Sequence, residues 1–558
     1  MSSANEKSVG HELARVLPDD GVPWWKKPHL LKLNGCIFFL MFFTSSNGFD
    51  GSIMNGYLAL PQWRAFMHNP QGAWLGFINA IYSLGAVVAF PLAAMVCNRW
   101  GRKIGLWLSI IAACVGTAVQ TAAQDDKSFI IARFIMGISQ GLSIGAPLLI
   151  AENAFPTHRG IASSCYNCGW YVGAVIAAWA TFGTRNMEGD ASWRIPSGLM
   201  ALLPVLIAPA LYFIDESPRW LVSVGRADEA RANLARTHVG GDIDHPLIAF
   251  EMSEIEETIR AEQSAKESTS WSDLWATKGN RHRLWITITL GFYAQWVGNG
   301  VISYYLALVL QNVGITGVTE QTLISACLQI WNLIFATLAA LSVDRLGRKF
   351  LFMLSVSNSL AHPTSVMLAC YDDLLTCFFT WGQGSIMLVS YVIITGLSGS
   401  FAETGHGPTG LAVVPFLFIY FLGYDVALTP LVISYTVEIW PYQLRARGLA
   451  VCSSVTLGAI FFNTFVNPLA LDAIGWKYYF VFLAILVMMI VDVWFTYPET
   501  RGRTLENIAW LFDGEEAHVG IVTADQTLKN TESSEGEPKV AEFEDIKSQN
   551  GVADEKKV

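Results

Sequence analysis

The sequence predicts an all-α membrane protein of twelve transmembrane helices in two six-helix bundles, and three observations predict it. Of 558 residues, 52% are hydrophobic and only 15% charged, more apolar surface than a soluble chain of this length needs to bury. The apolar residues gather into runs of about 20, the length that crosses ~30 Å of hydrocarbon. A basic phrase, Asn98-Arg99-Trp100-Gly101-Arg102-Lys103, returns as Asp344-Arg345-Leu346-Gly347-Arg348-Lys349, each copy directly after a long apolar run. A loop repeated at matching places implies two related bundles in parallel arrangement.

The runs lie near 32–52, 73–95, 104–123, 129–150, 161–183 and 197–214, then near 284–310, 322–342, 384–402, 411–437, 449–471 and 476–496. Backbone polar groups in lipid must satisfy one another, so runs this long are helices. Short loops on one side hold Arg99, Arg102, Lys103, Arg159, Arg345, Arg348, Lys349, Arg445 and Arg447, and those on the other only Arg64, Lys127, Arg185, Arg194 and Lys477. Lys and Arg collect on the cytoplasmic side, which places both termini there. The expected organisation is a cytoplasmic tail (1–31), a first bundle (32–214), a cytoplasmic connector (215–283), a second bundle (284–496) and a cytoplasmic C-terminal tail (497–558). Residues 1–31 are polar and mixed in charge, so the first span is expected to direct insertion itself. The tail from about Asp513 has the polar, charged composition of disorder.

One stretch resists the pattern. Between Lys349 and Leu411 there is too much chain for one span and a loop, and Asp372 and Asp373 interrupt its first apolar run. A spanning 350–371 would turn Arg445, Arg447 and Arg501 outward, against the charge rule. Residues 356–383 therefore read as a non-spanning segment, either an insertion or translated non-coding sequence.

Composition also excludes classes of activity. The net charge of −10 resides largely in the tails and connector and gives no footprint for nucleic acid. Nine cysteines are scattered through apolar runs, and the Cys165-x-x-Cys168 pair falls inside a span, where small packing residues are the simpler reading. No phosphate-binding loop, metal-ligand cluster or nucleophile motif stands in the sequence, so neither an enzyme nor a cofactor is expected.

Further motifs follow the spans: Glu216-Ser217-Pro218-Arg219-Trp220-Leu221 after the sixth, Pro498-Glu499-Thr500-Arg501-Gly502-Arg503 after the twelfth, Arg133-Phe134 with Gly137 opening the fourth, and Glu438 to Gly448 after the tenth. With the repeated loop, over about 35–510, they resemble the sugar porter family of the major facilitator superfamily. Gln295-Trp296-Val297-Gly298-Asn299-Gly300, Gly169-Trp170-Tyr171-Val172-Gly173 and Phe49-Asp50-Gly51-Ser52 are similar to its fungal lactose-permease-like branch. The sequence departs from the general pattern at Ala294, where a first Gln is usual, at Asn98 for the usual Asp, and at Leu149 for a common Tyr.

The resemblance implies import of a sugar, a disaccharide such as lactose or a hexose, by alternating access and proton symport. The partners would be sugar, proton and lipid bilayer, and the working unit a monomer in the plasma membrane. Export or import of another small metabolite is the competing reading, and a sensor that binds sugar without transport is a third. A sugar offers hydroxyls that donate and accept and an apolar ring face, which amides and aromatic rings complement. Asn167, Gln295 and Asn332 match family amide positions, and Asn299 and Trp296 join them on side-chain chemistry. Trp170, Tyr304 and Tyr305 are secondary candidates.

Asp50 is a carboxylate inside an apolar span, a costly placement that marks function. Arg133 is its expected partner, and the resemblance assigns the pair to proton coupling. Arg99, Glu152, Arg159, Glu216, Arg219, Asp344, Arg345, Arg348, Glu438 and Arg445, with Arg501, are expected to form gating ion pairs between helices at the cytoplasmic side when the carrier faces outward.

Overall fold

The computed structural model describes residues 16–18, 22–268, 270–346, 386–498 and 512–513. Among these residues every regular element is helical. The first six crossings are span 1 (Pro28–Ala59), span 2 (Gly72–Trp100), span 3 (Arg102–Thr121), span 4 (Asp126–Asn153), span 5 (Arg159–Thr184) and span 6 (Ala191–Phe213). The second six are span 7, broken into Lys278–Trp296 and Asn299–Asn312, then span 8 (Val318–Leu346), span 9 (Ile386–Thr404), span 10 (Val413–Ile439), span 11 (Tyr442–Ile474) and span 12 (Tyr479–Thr496). Between the halves lie three more helices, Pro218–Ser223, Ala227–His238 and Pro246–Ser268.

The two halves use one packing plan. Spans 1 and 5, 2 and 4, and 3 and 4 pack together in the first half; 7 and 11, 8 and 10, and 9 and 10 do so in the second. Each pair recurs with its number raised by six, the parallel repeat that the duplicated loop announces. The halves meet along spans 5 and 8, 2 and 11, and 1 and 7. Large apolar side chains such as Val88, Ile131, Met488 and Phe495 point outward, as they do when lipid is the solvent. This is the major facilitator fold.

Two boundaries differ from the sequence expectation for physical reasons. Span 1 reaches Ala59 although polar side chains thicken after Ser45, because Asn55 finds its hydrogen bonds on span 7 instead of in water. Span 7 is broken, not continuous: Gly298 takes φ 106°, a left-handed conformation that a Cβ disfavours, and ends the first segment. A Cβ there would also lie 2.5 Å from the Tyr391 hydroxyl. Outside the membrane, Asp125 opens span 4 by accepting from the Ser128 N–H at 2.9 Å. Hydrogen bonds from the Ser128 side chain and backbone hold its carboxyl below the usual range. The segment 356–383, Arg348 and Arg501 lie outside the described residues, as do the side chains of Asp344 and Arg345.

Candidate functional site

Between the halves is a cavity of about 430 Å³, within the ~300–1,000 Å³ typical of small-molecule sites. Asn79, Tyr82, Arg133, Gln140, Asn167 and Trp170 line it from the first half, and Gln295, Asn299, Tyr304, Gln329, Asn332 and Thr429 from the second.

The break in span 7 supplies part of this wall. Losing helical geometry at Gly298 frees carbonyl oxygens at membrane depth, where each needs a donor. Tyr424 donates to Ala294 O at 2.9 Å, Tyr420 to Val297 O at 2.9 Å, and Asn299 Nδ2 to Ala294 O at 3.2 Å. Asn463 Nδ2 donates to Gln295 O at 2.5 Å. The broken backbone is thus held open by side chains from spans 10 and 11, and the Gln295 and Asn299 side chains face the cavity.

Several cavity-wall groups have unused hydrogen-bonding capacity. Asn299 Oδ1, Asn332 Oδ1, the Tyr82 hydroxyl and Arg133 Nε are all buried without a hydrogen-bond partner. A buried polar atom without a partner costs about 1–3 kcal/mol, so a wall that collects both acceptors and donors of this kind is complementary to a ligand rich in hydroxyls.

Four of the five sequence-predicted binding residues, Asn167, Gln295, Asn299 and Asn332, meet on this cavity. Trp296 does not. It stacks between Phe292 (centroids 5.6 Å apart) and Phe462 (5.3 Å) and belongs to the apolar core, because it sits one residue round the helix from Gln295 and faces the other way. Gln140, Asn79, Tyr82 and Gln329 are wall residues that the sequence argument missed. Gln329 stands three residues before Asn332, one helix face, which was a readable signal.

Asp50 and Arg133 are brought together without forming an ion pair. Arg133 Nη1 donates to the backbone oxygen of Asp50 at 3.3 Å, and Asp50 Oδ1 has no partner. The guanidinium lies 4.7 Å from the centre of the Tyr82 ring, a cation–π contact. Among the described residues a second intramembrane carboxyl, Asp425 on span 10, is fully buried beside the cavity. The rule that singles out Asp50 applies to it equally, but the apolar run 411–437 around it masks the signal.

The basic-loop end of the first half carries a network centred on Arg102, which the predicted gating set lacks. Arg102 donates from Nε to Glu152 Oε2 at 3.2 Å and from Nη2 to Oε1 at 3.3 Å, a bidentate pair. Ser217 Oγ also donates to Glu152. Glu216 accepts the N–H groups of Arg102 and Lys103, both at 3.1 Å, placing a carboxylate on the positive end of span 3. Lys103 Nζ reaches Ile214 O at 2.6 Å, at the end of span 6. These contacts bind spans 3, 4 and 6 of one half together and do not cross between halves. Arg99 is exposed over the Trp100 ring, Arg159 keeps a buried Nε without a hydrogen bond, and Arg219 is half-buried. Glu438 and Arg445 are each engaged with a partner.

At the opposite end the halves do touch. Asn55 on span 1 donates to Ser303 O and accepts from Leu306 N–H at 2.8 Å. Tyr305 between them has non-helical φ −135° and ψ 27°, so the Asn55 amide replaces a hydrogen bond that span 7 loses at this kink. Arg185, just past the end of span 5, also reaches Thr319 on span 8 at 3.2 Å.

The family model described as "Sugar (and other) transporter" matches residues 36–512. The chain belongs to the sugar transporter family. Among relatives of this family, the low-affinity glucose transporter HXT1 of Saccharomyces cerevisiae is 27% identical over 475 residues, covering 83% of this chain and 78% of that one. The MFS-type transporter oryC of Aspergillus oryzae is 27% identical, covering 78% and 76%. Among solved structures, the inward-open xylose transporter XylE from E. coli aligns with a TM-score of 0.66 at 20% identity, covering 86% of this chain and all of that one. That identity supports the shared fold alone.

Proposed function

We propose that this sugar transporter family member imports a hexose or a disaccharide by alternating access coupled to a proton. The observation that carries the reading is the inter-half cavity whose amide, hydroxyl and guanidinium atoms lack partners. Relatives named as glucose transporters favour a hexose, and the loop charges favour cytoplasmic termini in the plasma membrane. With that orientation the Asn55 contacts close the outer end, while the cavity extends towards the basic-loop end through Gln140 and Ser453. Transport of another small metabolite is the second reading, favoured by a family description that extends beyond sugars and by a relative named only as an MFS-type transporter. Uptake across a panel of labelled hexoses and disaccharides, in a host lacking its own carriers and with a protonophore control, tests both. Protonophore-sensitive accumulation of one sugar is the expected result, and failure with every sugar rejects the first reading.

Gln295→Ala and Asn332→Ala are each expected to weaken apparent sugar affinity by roughly 1–3 kcal/mol, because a ligand hydroxyl loses its buried partner. Surface expression should hold, and normal affinity in both variants would move the substrate elsewhere. Asn55→Ala should loosen the outer closure, since Leu306 N–H loses its acceptor. The expected result is faster labelling of a Ser303→Cys reporter by an impermeant thiol reagent added outside.

A further inference from the structure

We infer that Asp425 is a positioning residue that fixes Tyr171 in the cavity wall and so makes sugar affinity depend on the two halves standing together. The inference rests on the sugar-transport reading. Tyr171, on span 5, lines the cavity and donates its hydroxyl to Asp425 Oδ1 on span 10 at 2.5 Å. Thr429, one turn further along span 10, donates to the same oxygen at 3.3 Å, and Oδ2 has no hydrogen-bond partner. A carboxyl at bilayer depth is expensive, and no Lys, Arg or His of the described residues forms an ion pair with this one. Beyond Thr429 on its own helix, its hydrogen-bonded partner among the described residues is therefore a wall residue of the other half.

The consequence is mechanical. A tyrosine ring presents an apolar face suited to a sugar ring, and its value to the ligand depends on being held in one rotamer. Here the anchor travels with the opposite half. When spans 5 and 10 separate, the ring loses its tether and its placement, and the site loosens its hold on the ligand. Affinity and conformation are linked through one hydrogen bond, as coupling between binding and a two-state equilibrium requires.

Kinetics separate this role from packing. Tyr171→Phe and Asp425→Ala are expected to raise KM for the transported sugar roughly five- to tenfold, the effect of one lost hydrogen bond, with little change in maximal rate. Asp425→Asn should restore KM, because its amide oxygen still accepts from Tyr171. An unchanged KM in Tyr171→Phe, or an Asn variant as weak as the Ala variant, overturns the proposal. A second measurement needs no substrate. The pair Arg185→Cys and Thr319→Cys, at positions whose native side chains meet at 3.2 Å across the ends of spans 5 and 8, reports closure of the halves by the yield of cross-link with a short bifunctional thiol reagent, read on the linked peptide. Adding Tyr171→Phe should lower that yield and adding Asp425→Asn should not; equal yields in all backgrounds overturn the tether. If no sugar is transported at all, the transport reading fails while the cross-link still decides the tether.

Discussion

Asp50→Asn is expected to abolish uphill sugar accumulation while sugar exchange continues. Asn keeps the size of the side chain and removes the group that can carry a proton. Asp50 is buried in span 1, one residue before Gly51 and two before Ser52, which line the cavity. Arg133, itself a wall residue, sits close enough to bond the Asp50 backbone oxygen yet leaves Oδ1 unpartnered. The acid and the cation are thus within reach of each other and uncommitted in this state, the arrangement a carrier needs if protonation and pairing are to alternate. In proteoliposomes with an imposed proton gradient, the wild type should concentrate sugar, and the variant should stop at equal concentrations on both sides. Counterflow should persist in the variant. Undiminished gradient-driven accumulation would remove Asp50 from coupling.

The fold was legible because its signals are long-range and redundant: twelve apolar runs, a duplicated basic loop and motifs in a fixed order all demand the same architecture. The cavity wall was legible where an amide falls on a position that the family resemblance marks, as at Asn167 and Asn332. It was not legible where orientation depends on a break in the helix. Gln295 and Trp296 are neighbours in sequence, and only the geometry of span 7 sends one to the cavity and the other to the core. The ion pairs expected of the outward-facing carrier were legible as a set of residues but not as partners. Charged residues at helix ends announce themselves, but sequence gives no choice between Arg99 and Arg102 as the partner of Glu152. The structure selects Arg102, whose backbone N–H simultaneously meets Glu216. Asp425 shows the reverse error, a chemically loud residue overlooked because its surroundings are quiet.

Gly173→Ala is expected to cost the folded protein, although it adds a single methyl group. Spans 1 and 5 pack backbone to backbone, and a Cβ at Gly173 would lie 1.7 Å from the Ser45 carbonyl oxygen. Gly48 faces the same seam from the other side, with the Trp170 carbonyl oxygen 2.0 Å from its hypothetical Cβ. Small residues are what let membrane helices approach this closely, because helix association in lipid depends on packing and not on expelling water. Neither obstacle is a side chain that can swing aside, so the helices must part, and overpacking of this kind costs ~1–3 kcal/mol or more. The parting would also disturb the site, since Asp50 lies two residues beyond Gly48 and Tyr171 two before Gly173. Gly183→Ala is the matched control: it sits on the same helix with nothing within 4 Å of its Cβ, and should gain from the ~1 kcal/mol helix preference of Ala over Gly. Size-exclusion profiles of the detergent-extracted variants should show the monodisperse peak lost for position 173 and kept for position 183. A monodisperse, transport-competent Gly173→Ala protein would mean that spans 1 and 5 do not pack backbone to backbone along this seam.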